Sequence, residues 1–262
     1  MKMRACAVAG MFYPKDPPHL EQLLETFFQA ASVKGNSKGI VSPHAGDVYS
    51  GAVAGSAFST ISPDFSGTFV VVGPSHRGYM TCVSKVPWET PIGVVGNDEE
   101  FVEALDIDTD EFSHQNEHSL EVQMPFIRYR FPLARIAPIL MGHQDYSGAR
   151  SIADKIVAAV RRTKRDVRIV ASSDFSHYVQ EQIAKDNDHY AIEPLTRLDV
   201  EEFFRRVAER EISVCGYGPI GAMALACGKM GAKEARLVQY ATSGDVTGDR
   251  REVVGYAAIA VI

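Results

Sequence analysis

Residues 68–78 read TFVVVGPSHRG: an apolar run of strand length, a turn-forming Gly-Pro-Ser, then a histidine. A strand with one wet face alternates apolar and polar residues, whereas a run apolar at every position asks for burial on both faces. The same construction recurs on either side of it. Gly39–Ser42 (GIVS) is a short strand followed by Pro43-His44-Ala45-Gly46, and Val167–Ala171 (VRIVA) is followed by Ser172-Ser173-Asp174-Phe175-Ser176-His177. Arg135–Met141 (RIAPILM), Ala235–Ala241 and Val253–Val261 read as further strands. Met80–Pro87 and Ile92–Val95 read as a hairpin turning through Trp88-Glu89-Thr90-Pro91.

Helical stretches alternate with these strands. Gly51–Thr60 is a small-residue helix and Asp98–Leu105 a short one. Ser119–Phe131 predicts a helix that must accommodate Pro125. Ser147–Arg162 is amphipathic, with Ile152, Ile156, Val157 and Val160 on one face. Gln180–Leu198, Val200–Ala208 and the alanine-rich Pro219–Met230 complete the set, the last with proline in its first turn, where a missing N–H costs little. Alternation of this kind predicts an α/β fold: a mainly parallel or mixed central sheet flanked by helices on both faces. Without a long Pro/Gly/Ser linker, repeat or low-complexity stretch, the expectation is a single domain over residues 1–262.

Composition narrows the function classes. Acidic residues outnumber basic ones 33 to 27, and the densest basic run, Arg161 to Arg168, sits at a helix end where a solvated turn explains it, so no nucleic-acid partner is expected. Cys6, Cys82, Cys215 and Cys227 are far apart and form no CxxC pair, which fits a reduced, cytoplasmic setting better than a disulfide framework. The start Met1-Lys2-Met3-Arg4 lacks the pattern of a signal peptide. No uncharged apolar stretch approaches the ~20 residues that span a bilayer, so no membrane association is expected.

His44, His76 and His177 each lie just beyond an apolar strand. In an open α/β sheet the loops at the carboxyl ends of the strands are where ligands bind, so parallel neighbouring strands would gather these histidines in one pocket. Imidazole serves as a metal ligand and as a general base near neutral pH. Cys215, in Val214-Cys215-Gly216-Tyr217-Gly218-Pro219, precedes a helix whose N-terminus would favour thiolate, a soft metal ligand. Cys6, Cys82 and Cys227 read as core. Asp174 could orient a histidine, bind metal or cap a turn. A polar cluster holds His114, Gln115, Glu117, His118, Ser119, Glu121 and Gln123. Ser113 or Asn116 could cap its helix, Glu117 and Glu121 would share a face, and His118 or Glu121 is expected to line the pocket.

SPHAGDVYSG (42–51), GPSHRG (73–78), NEHSLEVQMPF (116–126), SSDFSHY (172–178) and CGYGPIG (215–221) occur in the order seen in the Memo family, whose microbial relatives are called AmmeMemoRadiSam system protein B. From AGMFYP (9–14) to GYAA (255–258), the resemblance spans nearly the whole chain. It implies a fold like that of the class III extradiol dioxygenases of the LigB type, which hold non-haem Fe(II) with two histidines and a glutamate and use another histidine as acid/base. Carried onto this chain, the resemblance implies His44, His76 and Cys215 as metal ligands, with Cys215 replacing the carboxylate. It implies His177 as the acid/base, with Asp174 beside it. The softer donor set suits iron or copper, and zinc as well, and points away from ring cleavage.

The resulting expectation is an iron- or copper-dependent oxidoreductase acting on a small-molecule or peptide ligand. The alternatives are a non-catalytic scaffold that retains a dioxygenase-like pocket, and a zinc-dependent hydrolase with His177 as base. The family's name further implies radical-SAM and AMMECR-type proteins as partners.

Overall fold

The computed structural model describes residues 3–31 and 35–262; Met1 and Lys2, part of the charged start weighed above, lie outside them. In chain order the elements are α1 (Pro17–Ala30), β1 (Gly39–Ser42), α2 (Asp47–Ser59), β2 (Thr68–Pro74), β3 (Cys82–Val83), β4 (Trp88–Thr90) and β5 (Gly93–Asn97). Then come α3 (Glu99–Ala104), α4 (Glu111–Gln115), α5 (His118–Glu121), α6 (Gln123–Arg130), β6 (Arg135–Met141), α7 (Tyr146–Thr163) and β7 (Val167–Ser172). The chain continues through β8 (His177–Val179), α8 (Glu181–Leu195), α9 (Val200–Glu209), α10 (Tyr217–Lys229), β9 (Ala235–Thr242), α11 (Gly244–Thr247) and β10 (Val253–Val261).

The strands form one mixed sheet in the order β4-β5-β6-β2-β7-β1-β10-β8, with β3 added to β6 and β9 to β10. Its centre, β5 through β1, is parallel; β4, β3, β8, β9 and β10 pair antiparallel. Alternation of side chains about the pleat divides the core into two layers. Val70, Val72, Val41 and Ile169 face one cluster with helices α3, α7, α8, α9 and α10. Phe69, Val71, Ile40 and Val170 face the other, with α1, α2, α5 and α6. All eight of these side chains are fully buried, which is what an apolar residue at every strand position requires. The architecture is therefore the expected α/β domain, a mixed sheet covered by helices on both faces. No described helix is long and apolar enough to cross a membrane.

Three local expectations need correction. Trp88, Glu89 and Thr90 are not a turn; they form β4 and pair with Val95, Val94 and Gly93 of β5. Trp88 is fully buried and donates its indole N–H to Ser84 Oγ at 3.0 Å; so large an apolar surface is costly to leave in an exposed turn. Gly93 takes φ +123°, open only to glycine, and so lets the reversal fall at Pro91-Ile92. The helix expected over Ser119–Phe131 is two helices meeting at Val122, and Glu117, rather than Ser113 or Asn116, caps the first by accepting the Ser119 N–H. Pro125 then falls in the first turn of α6, where no intrahelical bond is lost. Cys82 and Cys227 are core, but Cys6 lies in irregular chain and is only partly buried.

Helix α1 is an addition to the expected set, although its signals are present in the sequence. Asp16 caps it by accepting the His19 N–H at 3.2 Å, a proline opens it, and Leu20 and Leu24 lie one turn apart on its buried face.

Candidate metal centre

Strands β2, β7 and β1 are parallel neighbours, with Val72 beside Ala171 and Ser172 beside Ser42. That register places their carboxyl ends at one rim. His44, His76 and Asp174 each follow two residues after such an end, and His177 opens β8 just beyond. His118 arrives at the first position of α5.

One ligand atom from each of His44, His76 and His118 falls within 4.8 Å of the others. The His44 ring stands edge-on to both partners, centroids at 5.2 and 5.4 Å, while His76 and His118 stack at 4.5 Å. Cys215 is outside this imidazole group, but its Sγ lies 3.2 Å from His44 Nε2. His44 thus borders both donors: the imidazoles on one side and the sulfur on the other.

The hydrogen bonds around these rings decide which nitrogens carry protons. Ser172 Oγ donates to the Ser119 carbonyl at 2.6 Å and accepts from Gln123 Nε2 at 2.9 Å. That amide nitrogen also donates to the Pro43 carbonyl, which fixes the amide's orientation. With its single proton committed, Ser172 can only accept from His44 Nδ1 at 2.9 Å. His44 Nδ1 therefore carries the hydrogen and Nε2 presents a lone pair. Glu117 does the same for His76. Its carboxylate takes the His76 backbone N–H and Nδ1, both at 2.9 Å, and stands 3.4 Å from His118 Nδ1. Carboxylate behind imidazole is the arrangement that fixes tautomer and ring orientation in metal sites.

The electrostatics agree. Burial and then the neighbouring His118 and His76 rings hold the His44 pKa well below its ordinary value, and burial and His76 lower that of His118. Both rings are therefore held neutral, the form in which an imidazole nitrogen can serve as a metal ligand. Burial pushes Glu117 up, but the hydrogen bonds from His76 and Ser119 outweigh it and hold the carboxyl at about 2. Sequence reasoning placed Cys215 as a thiolate favoured by its helix. Instead burial, and then the Asp174 carboxylate, raise the thiol's pKa, against an opposing N–H from Asp174 at 3.2 Å.

His177 lines the same cavity, of about 570 Å³, together with His44, His76, His118 and Asp174. Its Nδ1 lies 2.8 Å from the Ser213 carbonyl, which can only accept, so Nδ1 bears the proton and Nε2 is the basic nitrogen. Ser213 rather than Asp174 orients this ring. Asp174 accepts the His44 backbone N–H at 2.8 Å, and its Oδ2 lies 4.0 Å from His44 Nε2; burial raises its pKa. Phe12, Tyr49, Tyr178 and Tyr256 make the aromatic walls.

Glu121, expected as a pocket residue, faces elsewhere. Fully buried, it accepts the backbone N–H groups of Ala7 and Val8 and the Tyr13 hydroxyl, and pairs with Arg4 at 2.6 Å. Of the supporting residues, the sequence marks Glu117 and Gln123 only as members of a polar cluster, and Ser172 and Ser213 not at all as supports. Of these only Glu117 carried a signal: a carboxylate immediately before the first histidine of a helix. Replacing Glu117 by glutamine is expected to weaken metal binding by about 10- to 100-fold while the far-ultraviolet spectrum stays unchanged. Competition against a chelator of known affinity measures it, and equal affinities would exclude the orienting role.

Comparison with known proteins identifies the family. The family described as Memo-like protein matches residues 4–260. A MEMO1 family protein of Methanosarcina barkeri is 43% identical, covering 99% of this chain and 100% of the relative. One of Archaeoglobus fulgidus is 43% identical over 98% of each chain, and one of Methanothermobacter thermautotrophicus 40% identical over 97% of this chain and 99% of its own. The chain belongs to the Memo family.

Proposed function

We propose that this Memo-family chain holds one redox-active metal ion, iron or copper, at His44, His76 and Cys215, with His118 as a fourth donor, and works as a metal-dependent oxidoreductase. The observation that carries the reading is the position of His44 Nε2, bare of hydrogen, within the imidazole group and 3.2 Å from Cys215 Sγ. Two donors on one tetrahedral ion, at ~2.0 Å for nitrogen and ~2.3 Å for sulfur, stand ~3.5 Å apart, so that spacing suits a shared ion. Neutral imidazoles and a sulfur form a donor set that copper and iron accept. A metal held there would supply redox chemistry to a bound substrate.

The remaining work falls to the chain. His177, its proton on Nδ1 held by Ser213, offers Nε2 to take a proton from a ligand in the cavity and to return it. Asp174 fixes the His44 loop through the backbone N–H and places a carboxyl beside both His44 and the sulfur. The aromatic walls orient a ligand and limit water around the imidazoles.

Anaerobic purification followed by assay of iron, copper and zinc tests the reading. Close to one ion per chain is expected in the native protein, with loss to trace levels in His44→Ala and Cys215→Ala. The same trace metal in all three proteins would refute it. A substrate screen with the loaded protein is expected to find turnover that His177→Ala abolishes.

A further inference from the structure

The loop that presents His44 continues into a second cavity. Asp47, the first residue of α2, is only 3% exposed. Burial, with no compensating contact, pushes its carboxyl up to about 8. Its Oδ2 has no hydrogen-bond partner, and no cation pairs with it among the described residues. A buried acceptor left this way carries its full desolvation penalty, larger still if charged, so an Asp at this position is costly to folding unless something occupies the space in front of it.

That space exists. Asp47 borders an open cavity of about 520 Å³ between residues 10–16, the start of α1 and the start of α2. Met11, Phe12, Pro14, Leu23 and Val48 give it apolar walls. Phe12, Gly46 and Tyr49 also line the imidazole cavity and so form the partition between the two. The other titratable groups facing it are Tyr13, Lys15, Asp16, His19 and Tyr49. Asp16 is engaged in capping α1, and Lys15 and His19 stand at the exposed rim.

We infer that this second cavity binds an organic amine, its ammonium donating to the Asp47 carboxyl and its apolar arm lying along Met11, Phe12, Pro14 and Leu23. An anionic ligand would be repelled by the carboxyl once it is ionised. A neutral hydroxyl would satisfy one acceptor but supply no counter-charge. An ammonium provides both, and charge-assisted hydrogen bonds are about twice as strong as neutral ones. The inference is independent of the metal reading, because none of His44, His76, His118, His177 or Cys215 contributes to this cavity.

Calorimetric titration of the full chain with 2-phenylethylamine and with 2-phenylethanol, at pH 9, where the Asp47 carboxyl is ionised, and both before and after chelation of any metal, tests it. The amine is expected to bind at least about tenfold tighter than the alcohol, equally well after chelation. Asp47→Asn, checked by thermal melting for an intact fold, is expected to abolish that advantage. Equal affinities, or no binding by either probe, would show a cavity filled only by water or by the Lys15 side chain and would overturn the inference. So would an advantage that survives Asp47→Asn, or one that vanishes on chelation and therefore belongs to a metal.

Discussion

Arg4→Met is expected to lower the stability of the fold by about 3–5 kcal/mol, measured as the shift in a denaturant-unfolding midpoint. Arg4 is only 6% exposed and holds four things together. Its Nη1 pairs with Glu121 Oε2 at 2.6 Å, Nε donates to the His114 carbonyl at 2.8 Å, Nη2 donates to the Glu117 carbonyl at 2.9 Å, and the guanidinium lies 4.1 Å from the centre of the Trp88 ring. Methionine can keep the packing on Trp88 but leaves Glu121 an uncompensated buried charge, the costly half of a broken pair. Adding Glu121→Gln to Arg4→Met should recover part of the loss, because the orphaned charge goes with it. Since Arg4 also holds the backbone of Glu117, the single variant should bind metal more weakly too. A single variant within about 0.5 kcal/mol of the native protein would show that the pair contributes little.

The pH dependence of stability should change shape in Asp47→Asn. The Asp47 pKa lies at about 8 in the folded protein against an ordinary 3.8. Below about pH 4 the group is protonated whether the chain is folded or not, and no difference arises. Between pH 4 and 8 the unfolded chain gives up this proton while the folded one keeps it, so stability falls by up to about 1.4 kcal/mol per pH unit. Above 8 the loss levels off. The asparagine variant lacks this slope, so the two stability curves should meet near pH 4 and separate to as much as about 5 kcal/mol by pH 8, the variant being the more stable. Parallel curves over that range would rule out a buried, unpaired carboxyl at position 47.

The stretch 68–73 was legible because burial on both faces leaves its mark at every residue: Val70 and Val72 serve one layer of the core, Phe69 and Val71 the other. The histidines beyond β1, β2 and β7 were legible for a related reason, since a strand's end fixes where the next residues emerge. That rule has a visible limit. His143 follows β6 by the same two residues, yet it is exposed and joins a different cleft with Thr81 and Lys155. Glu117 and Glu121 show what local pattern cannot supply. Helical spacing puts them on one face, but the first stands outside the helix as its cap, and the second is claimed by Arg4 and Tyr13 from the far end of the chain. The burial that raises the Cys215 pKa was invisible for the same reason: its surroundings come from Asp174 and His44, not from its own helix.

β1 presents His44 and runs between β7 and β10, with Val41 opposite Ala171 on one side and Ile259 on the other. Neither neighbour is local in sequence, and closing such long loops is what slows folding in sheet proteins. The histidine loop therefore gains its fixed position only once the distant strands have docked. Under the proposed function, capture of an ion should accordingly be one of the last events in maturation, and a chain that stalls with β10 undocked would lack the rim that positions His44.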